Sequence, residues 1–439
     1  MVTAALFDFW GSQLFIAMVF ITHILTAALL TGLNFIAVAM ESTYYFTGDK
    51  RWDRAAHGIA KVQVIAFAPG SFVAMVAIMA LGLLWPLFWG VIMRIAFFPM
   101  VIEAISFILW ILYLYTWYFT WEPLRDFPAL HISVGYLLMF VSWSQQFSID
   151  IMASYMLTPT SPLSLHAIMF NPTMFPLDAH RTIGNISYAG FAMAGFAGWR
   201  YLTSRKLEEK AYWDWLGSLG ILFGVGFLFM QPFVGYQYVL SIRDASFGAF
   251  YHIMGGGSRS WLFLIQVAIL GTLFFLSGLY AVMQMVKSRS PNTWATVVLL
   301  TLVIFFAVWL MLPPHWTPMI GGLPIDFIGQ LGMMNPWKYW ALAGLTLSGL
   351  FLFMNYLGAI QIGFKWGARG ITSHLILIAL GLVIVGMMFD MGLIREEARR
   401  PYLIYGRMYI EPQGWQLTPT NEAPPPTREI PPLSGPNIP

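Results

Sequence analysis

Apolar residues occur in this sequence as long runs rather than as stripes on otherwise polar helices. Runs of about 18 or more residues, bounded by charges or by Pro/Gly clusters, predict helices near 13–40, 62–86, 92–118, 130–156, 182–202, 213–238, 261–286, 293–312, 337–364 and 372–393. At 1.5 Å per residue, such helices are long enough to cross a hydrocarbon layer about 30 Å thick. The pattern predicts an all-α fold, a polytopic transmembrane helix bundle of about ten spans.

Composition changes the picture by naming the solvent. Of 439 residues, 58% are hydrophobic and only 10% charged, against about 25% charged in soluble domains. The bilayer is therefore the expected surroundings for most of the chain. No basic stretch precedes the first apolar run, which reads as a retained helix rather than a cleavable signal. Cysteine is absent, which removes disulfides, iron–sulfur clusters, thiolate ligands and covalent c-type haem attachment. A redox centre would have to use His, Met or carboxylate ligands. The net charge of +3 is spread over loops and gives no footprint for nucleic acid.

Charge also orients the bundle, because Lys and Arg collect in cytoplasmic loops. Lys50, Arg51, Arg54 and Lys61 follow the first run; Arg200, Arg205, Lys206 and Lys210 follow the fifth; Lys287 and Arg289 follow the seventh; Lys365 and Arg369 follow the ninth. All fall on one side, which places both ends of the chain outside. Arg395, Arg399, Arg400 and Arg407 conflict with that topology. Residues 413–439 are rich in Pro and polar residues and read as an extended tail.

Ionisable groups inside hydrocarbon are costly unless paired or ligated, so each one is a functional candidate. His23 lies roughly 15 Å along the first helix, Glu103 lies at similar depth in the third, and His180 stands at the outer start of the fifth. The topology gathers all three in the outer half of the bilayer, the arrangement from which bundle cofactor sites are built. A single buried His also satisfies itself by donating to a nearby backbone carbonyl, whereas three such groups favour a cofactor. Neutral imidazole is a common haem ligand. Glu41 closes the first span near the inner face as a candidate for proton uptake, the alternative being a pair with Arg or Lys of the next loop. Asp150, toward the outer face, reads either as part of the site or as a surface cap. His57, His131 and His374 are expected at solvated inner surfaces; His166, His252 and His315 fall on the outer side as spare ligands.

These residues resemble a known family. His23-Ile24-Leu25-Thr26, followed by Ala39-Met40-Glu41-Ser42, resembles the opening helix of cytochrome bd oxidase subunit I; Val101-Ile102-Glu103-Ala104 resembles its Ile-Glu-Gly helix. Ser154-Tyr155-Met156-Leu157-Thr158-Pro159 is similar to its Trp-Met-Gln-(Asn/Thr)-Pro turn, and Asn171-Pro172 with His180 to its Asn-Pro segment and haem histidine. Order and spacing agree over roughly residues 10–240. The resemblance implies His23 as axial ligand at an oxygen-reducing haem, His180 as ligand to low-spin haem b, and Glu103 as a proton-path carboxylate. It further implies haem b with a second high-spin haem or haem d, quinone or quinol, and a second, subunit II-like membrane partner with small or cytochrome c subunits. The implied location is a bacterial inner membrane, with the haem sites near the outer face.

The later half departs from that pattern. A short loop at 240–260 stands where the family has its long quinol loop, and Gln266 stands where a Met ligand opposite His180 is expected, with Met254 and His252 as substitutes. The second carboxylate of the third helix is replaced by Ile111, and the Gly-Arg-Gln-Pro-Trp signature is only echoed between Asp390 and Tyr402. The chain thus reads as haem-binding helices over 1–240, divergent helices over 241–395 and a Pro-rich extended tail over 396–439. The expected function is an oxidoreductase subunit that passes electrons from quinol or another donor to an oxygen-reducing haem. One alternative exchanges electrons between quinone and a docked cytochrome c without oxygen reduction; a lesser one is a transporter.

Overall fold

A computed structural model of the chain describes residues 2–161, 164–256, 261–287, 293–312, 336–361, 366–367, 370–400 and 402–409. The described elements are α1 (Val2–Thr47), α2 (Lys50–Leu84), α3 (Pro86–Ile95), α4 (Phe97–Phe119), α5 (Pro128–Leu157), α6 (Leu165–Met169), α7 (Met174–Thr203), α8 (Leu207–Leu228), α9 (Gln231–Ala245), α10 (Phe247–Tyr251), a π-helical turn (His252–Gly256), α11 (Trp261–Lys287), α12 (Thr293–Met311), α13 (Pro336–Gln361), α14 (Ile371–Glu397) and the strands β1 (Tyr402–Ile404) and β2 (Met408–Tyr409). The fold is an all-α polytopic bundle. Eight described segments are long and apolar enough to cross a membrane. The remaining two predicted spans are α5 and α7, each 30 residues long but more polar.

Local chemistry sets the breaks. Gly48 takes φ 69° between α1 and α2, a left-handed conformation suited to glycine. Asp49 then caps α2 by accepting from the Arg51 amide at 2.9 Å. Arg51 also holds the Asp49 carboxyl below its usual range, chiefly through their side-chain hydrogen bond. Pro86, in the first turn of α3, separates α3 from α2, and the third predicted run divides into α3 and α4 at Ala96. The sixth run bends between α8 and α9, where Pro232 opens α9.

Three expectations change. Residues 240–260, read as a loop, are instead helical over most of their described length, through the end of α9, α10 and the π-helical turn. The extended tail expected from 396 does not begin there: 396–397 finish α14, and β1 pairs antiparallel with β2. That hairpin docks on α5, with the Tyr405 amide donating to the Met156 carbonyl at 2.9 Å. Residues 410–439 and His315 lie outside the described residues.

At the centre stands α7, which packs against α1, α5, α8, α9 and α14. Lipid tails are as apolar as Leu, so helices associate in a membrane by close packing and hydrogen bonds rather than by the hydrophobic effect. Small residues supply that closeness. A Cβ on Gly190 would lie 2.3 Å from the Gly224 amide nitrogen of α8, and one on Gly32 of α1 would lie 2.0 Å from the Asn185 carbonyl oxygen of α7. The two halves of the chain share a core, since Phe191 and Val225 join one buried cluster with Leu345 and Leu377. Gly190→Val should force α7 and α8 apart and cost about 2–3 kcal/mol or more, read as a lower melting temperature in detergent. Gly90→Ala, where a Cβ meets open space, should change little.

Candidate functional site

Two turns that connect α5 to α7 fix where His180 begins its helix. The Asn171 side chain donates to the Thr158 carbonyl at 2.7 Å, and its carbonyl oxygen accepts from the Thr158 hydroxyl at 3.0 Å and the Thr173 amide at 3.1 Å. All three residues are buried. The Thr-Pro and Asn-Pro segments therefore form one knot, and α7 leaves it at Met174.

From there a polar ladder joins α5 to α7. Asp178 accepts from Trp143 Nε1 at 3.0 Å and from Gln146 Nε2 at 3.1 Å, Gln146 Nε2 also donates to Thr182 at 2.8 Å, and Asn185 donates to Gln146 Oε1 at 2.6 Å. Asp150 is fully buried and pairs with Arg181. Neither reading of a surface cap nor of a surface pair survives for Asp150, because no solvent reaches it.

Arg181 is the residue that draws the predicted ligands together. Its charge acts on His23 of α1 and on the adjoining His180 of α7, and α1 packs against α7. Nδ1 of each is buried and has no hydrogen-bond partner among the described residues. The backbone of Gly70 on α2 hydrogen-bonds the His23 ring. The His180 ring lies against Tyr238, centroids 5.9 Å apart, and a Cβ on Gly235 would come within 3.3 Å of it.

Arg395 and Arg399 join the same region from α14 and the turn after it. Both act electrostatically on Tyr238, as do Arg181 and Asp150. Arg395 Nη2 and Arg399 Nε are buried without a hydrogen-bond partner among the described residues, while Arg399 Nη2 reaches Glu396 at 3.4 Å. Arg395 and Arg399 thus turn guanidinium nitrogens into the bundle rather than into a solvated loop. A cluster with more guanidinium than carboxylate charge suits an anionic ligand.

Other candidates are placed less centrally. Gln266 of α11 has a buried, unpaired Oε1 and His252 a buried, unpaired Nδ1. Burial pushes the His252 imidazole below its ordinary range, against an opposing pull from Glu397. Met254 is packed in the main apolar core. Beside the His180 ring stand Tyr238 and Gly235 of α9. Glu103 sits on α4 one turn before Ser106, whose hydroxyl donates to Ser144 of α5 at 3.2 Å.

At the end of α1 away from His23 the structure corrects two expectations. Glu41 pairs with His131, not with a Lys or Arg of the following loop, and His131 is only 4% exposed rather than a surface residue. Trp117 Nε1 donates to the other Glu41 oxygen at 2.8 Å, and His131 Nε2 lies 2.8 Å from the Trp117 carbonyl. That carbonyl can only accept, so Nε2 carries a proton, while Nδ1 makes its own hydrogen bond with the Glu41 carboxyl. Trp121, stacked on His57 at 4.7 Å and edge-on to His131 at 4.8 Å, links the pair to the half-exposed surface, where it also donates to Asp53. His374 is likewise buried, stacked on Tyr201 and 3.3 Å from Asp214.

The sequence profile of cytochrome bd terminal oxidase subunit I matches residues 12–244. The chain belongs to that family. The match covers α1 through α9 and thus every residue from His23 to Tyr238 described above. A curated relative, the putative cytochrome bd menaquinol oxidase subunit I of Bacillus subtilis (strain 168), is 25% identical over 199 residues, 43% of this chain and 44% of the relative. The chain thus aligns with less than half of that relative's length. The solved structure of bd oxidase from Geobacillus thermodenitrificans is similar at 15% identity and a TM-score of 0.49, over 89% of this chain and 98% of that one.

Arg181, Arg395, Arg399 and His131 escaped the sequence reading because each looked like a helix end or loop residue; the shared depth of Asp150 and Arg181 was the available signal. Replacing Arg181 with Leu should strand Asp150 uncompensated and cost about 3–5 kcal/mol, read as a lower melting temperature. Adding Asp150→Asn should recover most of that loss.

Proposed function

We propose that this chain is a haem-carrying membrane subunit of cytochrome bd type that accepts electrons from quinol or another donor and delivers them to a site where oxygen is reduced to water. The observation that supports it best is the pair of buried, unpartnered imidazole nitrogens of His23 and His180 around Arg181. An unsatisfied imidazole is destabilising unless something ligates it. The donor set fits haem: two imidazoles for iron, and the unpaired guanidinium groups of Arg395 and Arg399 for carboxylates at the edge of such a group.

In this reading His180 holds a haem b and His23 holds haem at the oxygen site; the bound groups supply one-electron transfer and oxygen chemistry. The chain's own residues orient and neutralise. Tyr238 and Gly235 set the face available to the His180 ring, and the α5–α7 ladder keeps Arg181 aimed between the two histidines. Glu41 and His131 share a proton near the inner surface, and Glu103 receives protons nearer the oxygen site. A second membrane subunit and a bacterial inner-membrane location belong to the same reading. The alternative, exchange of electrons with quinone and a docked cytochrome c, takes its support from the helical 240–256 segment, which leaves no long quinol loop.

A reduced-minus-oxidised spectrum of the purified protein should show b-type haem bands, and an oxygen electrode should register uptake with an artificial donor. His180→Ala should remove the low-spin b signal. Glu103→Gln should keep the bands and slow oxygen uptake by about 100-fold. Absence of haem bands would end this reading, and bands without oxygen uptake would leave the alternative.

A further inference from the structure

Between the Glu41–His131 pair and Glu103 lie two side chains that neither pairing nor packing accounts for. Asn34 of α1 is 0% exposed and Gln63 of α2 is 1% exposed, yet both amide atoms of each lack a hydrogen-bond partner among the described residues. Primary amides have no apolar shape advantage over Leu, and stranding their donors and acceptors in hydrocarbon is costly.

The helical register puts them at one depth and on one path. Asp53 of α2 meets Trp121, and Glu41 of α1 meets Trp117, so the two helices are indexed by contacts at Trp117 near the end of α4 and at Trp121 in the turn just after it. Asn34 precedes Glu41 by seven residues, about 10 Å outward. Gln63 follows Asp53 by ten residues, about 15 Å outward from a point about 6 Å deeper, which brings it to nearly the same level. His23, Asn34 and Glu41 share one face of α1, because separations of seven, eleven and eighteen residues each return within about 20° of a whole number of turns. On α4, Trp110 stands at the Asn34 level, and Ser106 with its partner Ser144 stands about 6 Å further out. Glu103 follows one turn beyond. The helices that carry these groups, α1, α2, α4 and α5, enclose one shared apolar core.

We propose that Asn34 and Gln63 hold water midway through the membrane and that this water carries protons from the Glu41–His131 pair toward Glu103. Each amide offers donors and an acceptor at a fixed position, which anchors water without trapping the proton, because an amide does not titrate in this range. The step moves only protons: one leaves the Glu41–His131 bond, crosses the water and the Ser106–Ser144 hydroxyls, and arrives at Glu103. Ile111 stands where the resemblance calls for a second carboxylate, so a relay through α1 and α2 supplies what α4 lacks. The traffic depends on the function proposed above, whereas the water site does not.

The test uses the full chain in its membrane complex. Radiolytic labelling in ¹⁸O water should mark Trp110 in the wild type, and the apolar, near-isosteric pair Asn34→Leu/Gln63→Leu should lose that mark. The double variant should retain the haem bands of the wild type but consume oxygen at least tenfold more slowly, with a rate that becomes steeply dependent on inner-side pH. Asn34→Ser, which restores a hydroxyl and space for water, should regain most of the rate. Equal labelling in wild type and double variant, or none in either, overturns the water site. Normal oxygen uptake by a double variant with intact haem bands overturns the relay. Wild-type protein without haem would end the proposed function, yet the labelling would still decide the water site.

Discussion

Hydrocarbon offers polar groups no partner, and the arrangement of this bundle follows from that constraint. The polar side chains of α5 and α7 include Gln146, Asp150, Asp178, Arg181 and Asn185, and none of these could face lipid without large cost. They face one another instead, and the more apolar helices stand around them. Because α7 is surrounded, it needs small residues wherever a neighbour must pass close, and Gly190 opposite Gly224 is one result. The same enclosure that satisfies the ladder also buries Nδ1 of His23 and of His180, so site and scaffold are products of a single requirement.

The apolar runs were legible in the sequence because membrane spans depend on length and composition, which need no knowledge of partners. The run that opens at Thr293 and the run that contains Asn355 appear as α12 and α13. His23, Glu103 and His180 stood out as candidates as well, since an ionisable residue amid apolar ones is conspicuous at any position. What a single run cannot disclose is which residue of another helix lies opposite. His131 looked solvated because it sits at a helix start, and only the approach of α1 reveals its contact with Glu41. Asn34 and Gln63 attracted no attention, as neutral amides carry no charge to betray them; their burial without partners is a purely three-dimensional fact.

The basic residues after 394 show how charge statistics and site chemistry compete. Orientation rules count Lys and Arg as if all remained in water, but Arg395 and Arg399 turn inward. A buried cationic cluster obeys the electrostatics of its ligand and neighbours rather than of the translocation machinery. The unpaired atoms of that cluster, and of both histidines, are the observation on which the proposed function rests.

The docking of the β1–β2 hairpin onto α5 has a consequence for biosynthesis. Arg395, Arg399 and the hairpin leave the ribosome long after α1, α5 and α7, yet they close the region that those helices begin. Until then the pocket is a half-built cleft with His180 and Arg181 already in place and one wall missing. The order of synthesis therefore leaves an interval in which this region stays open on the side that the late-made segment later covers.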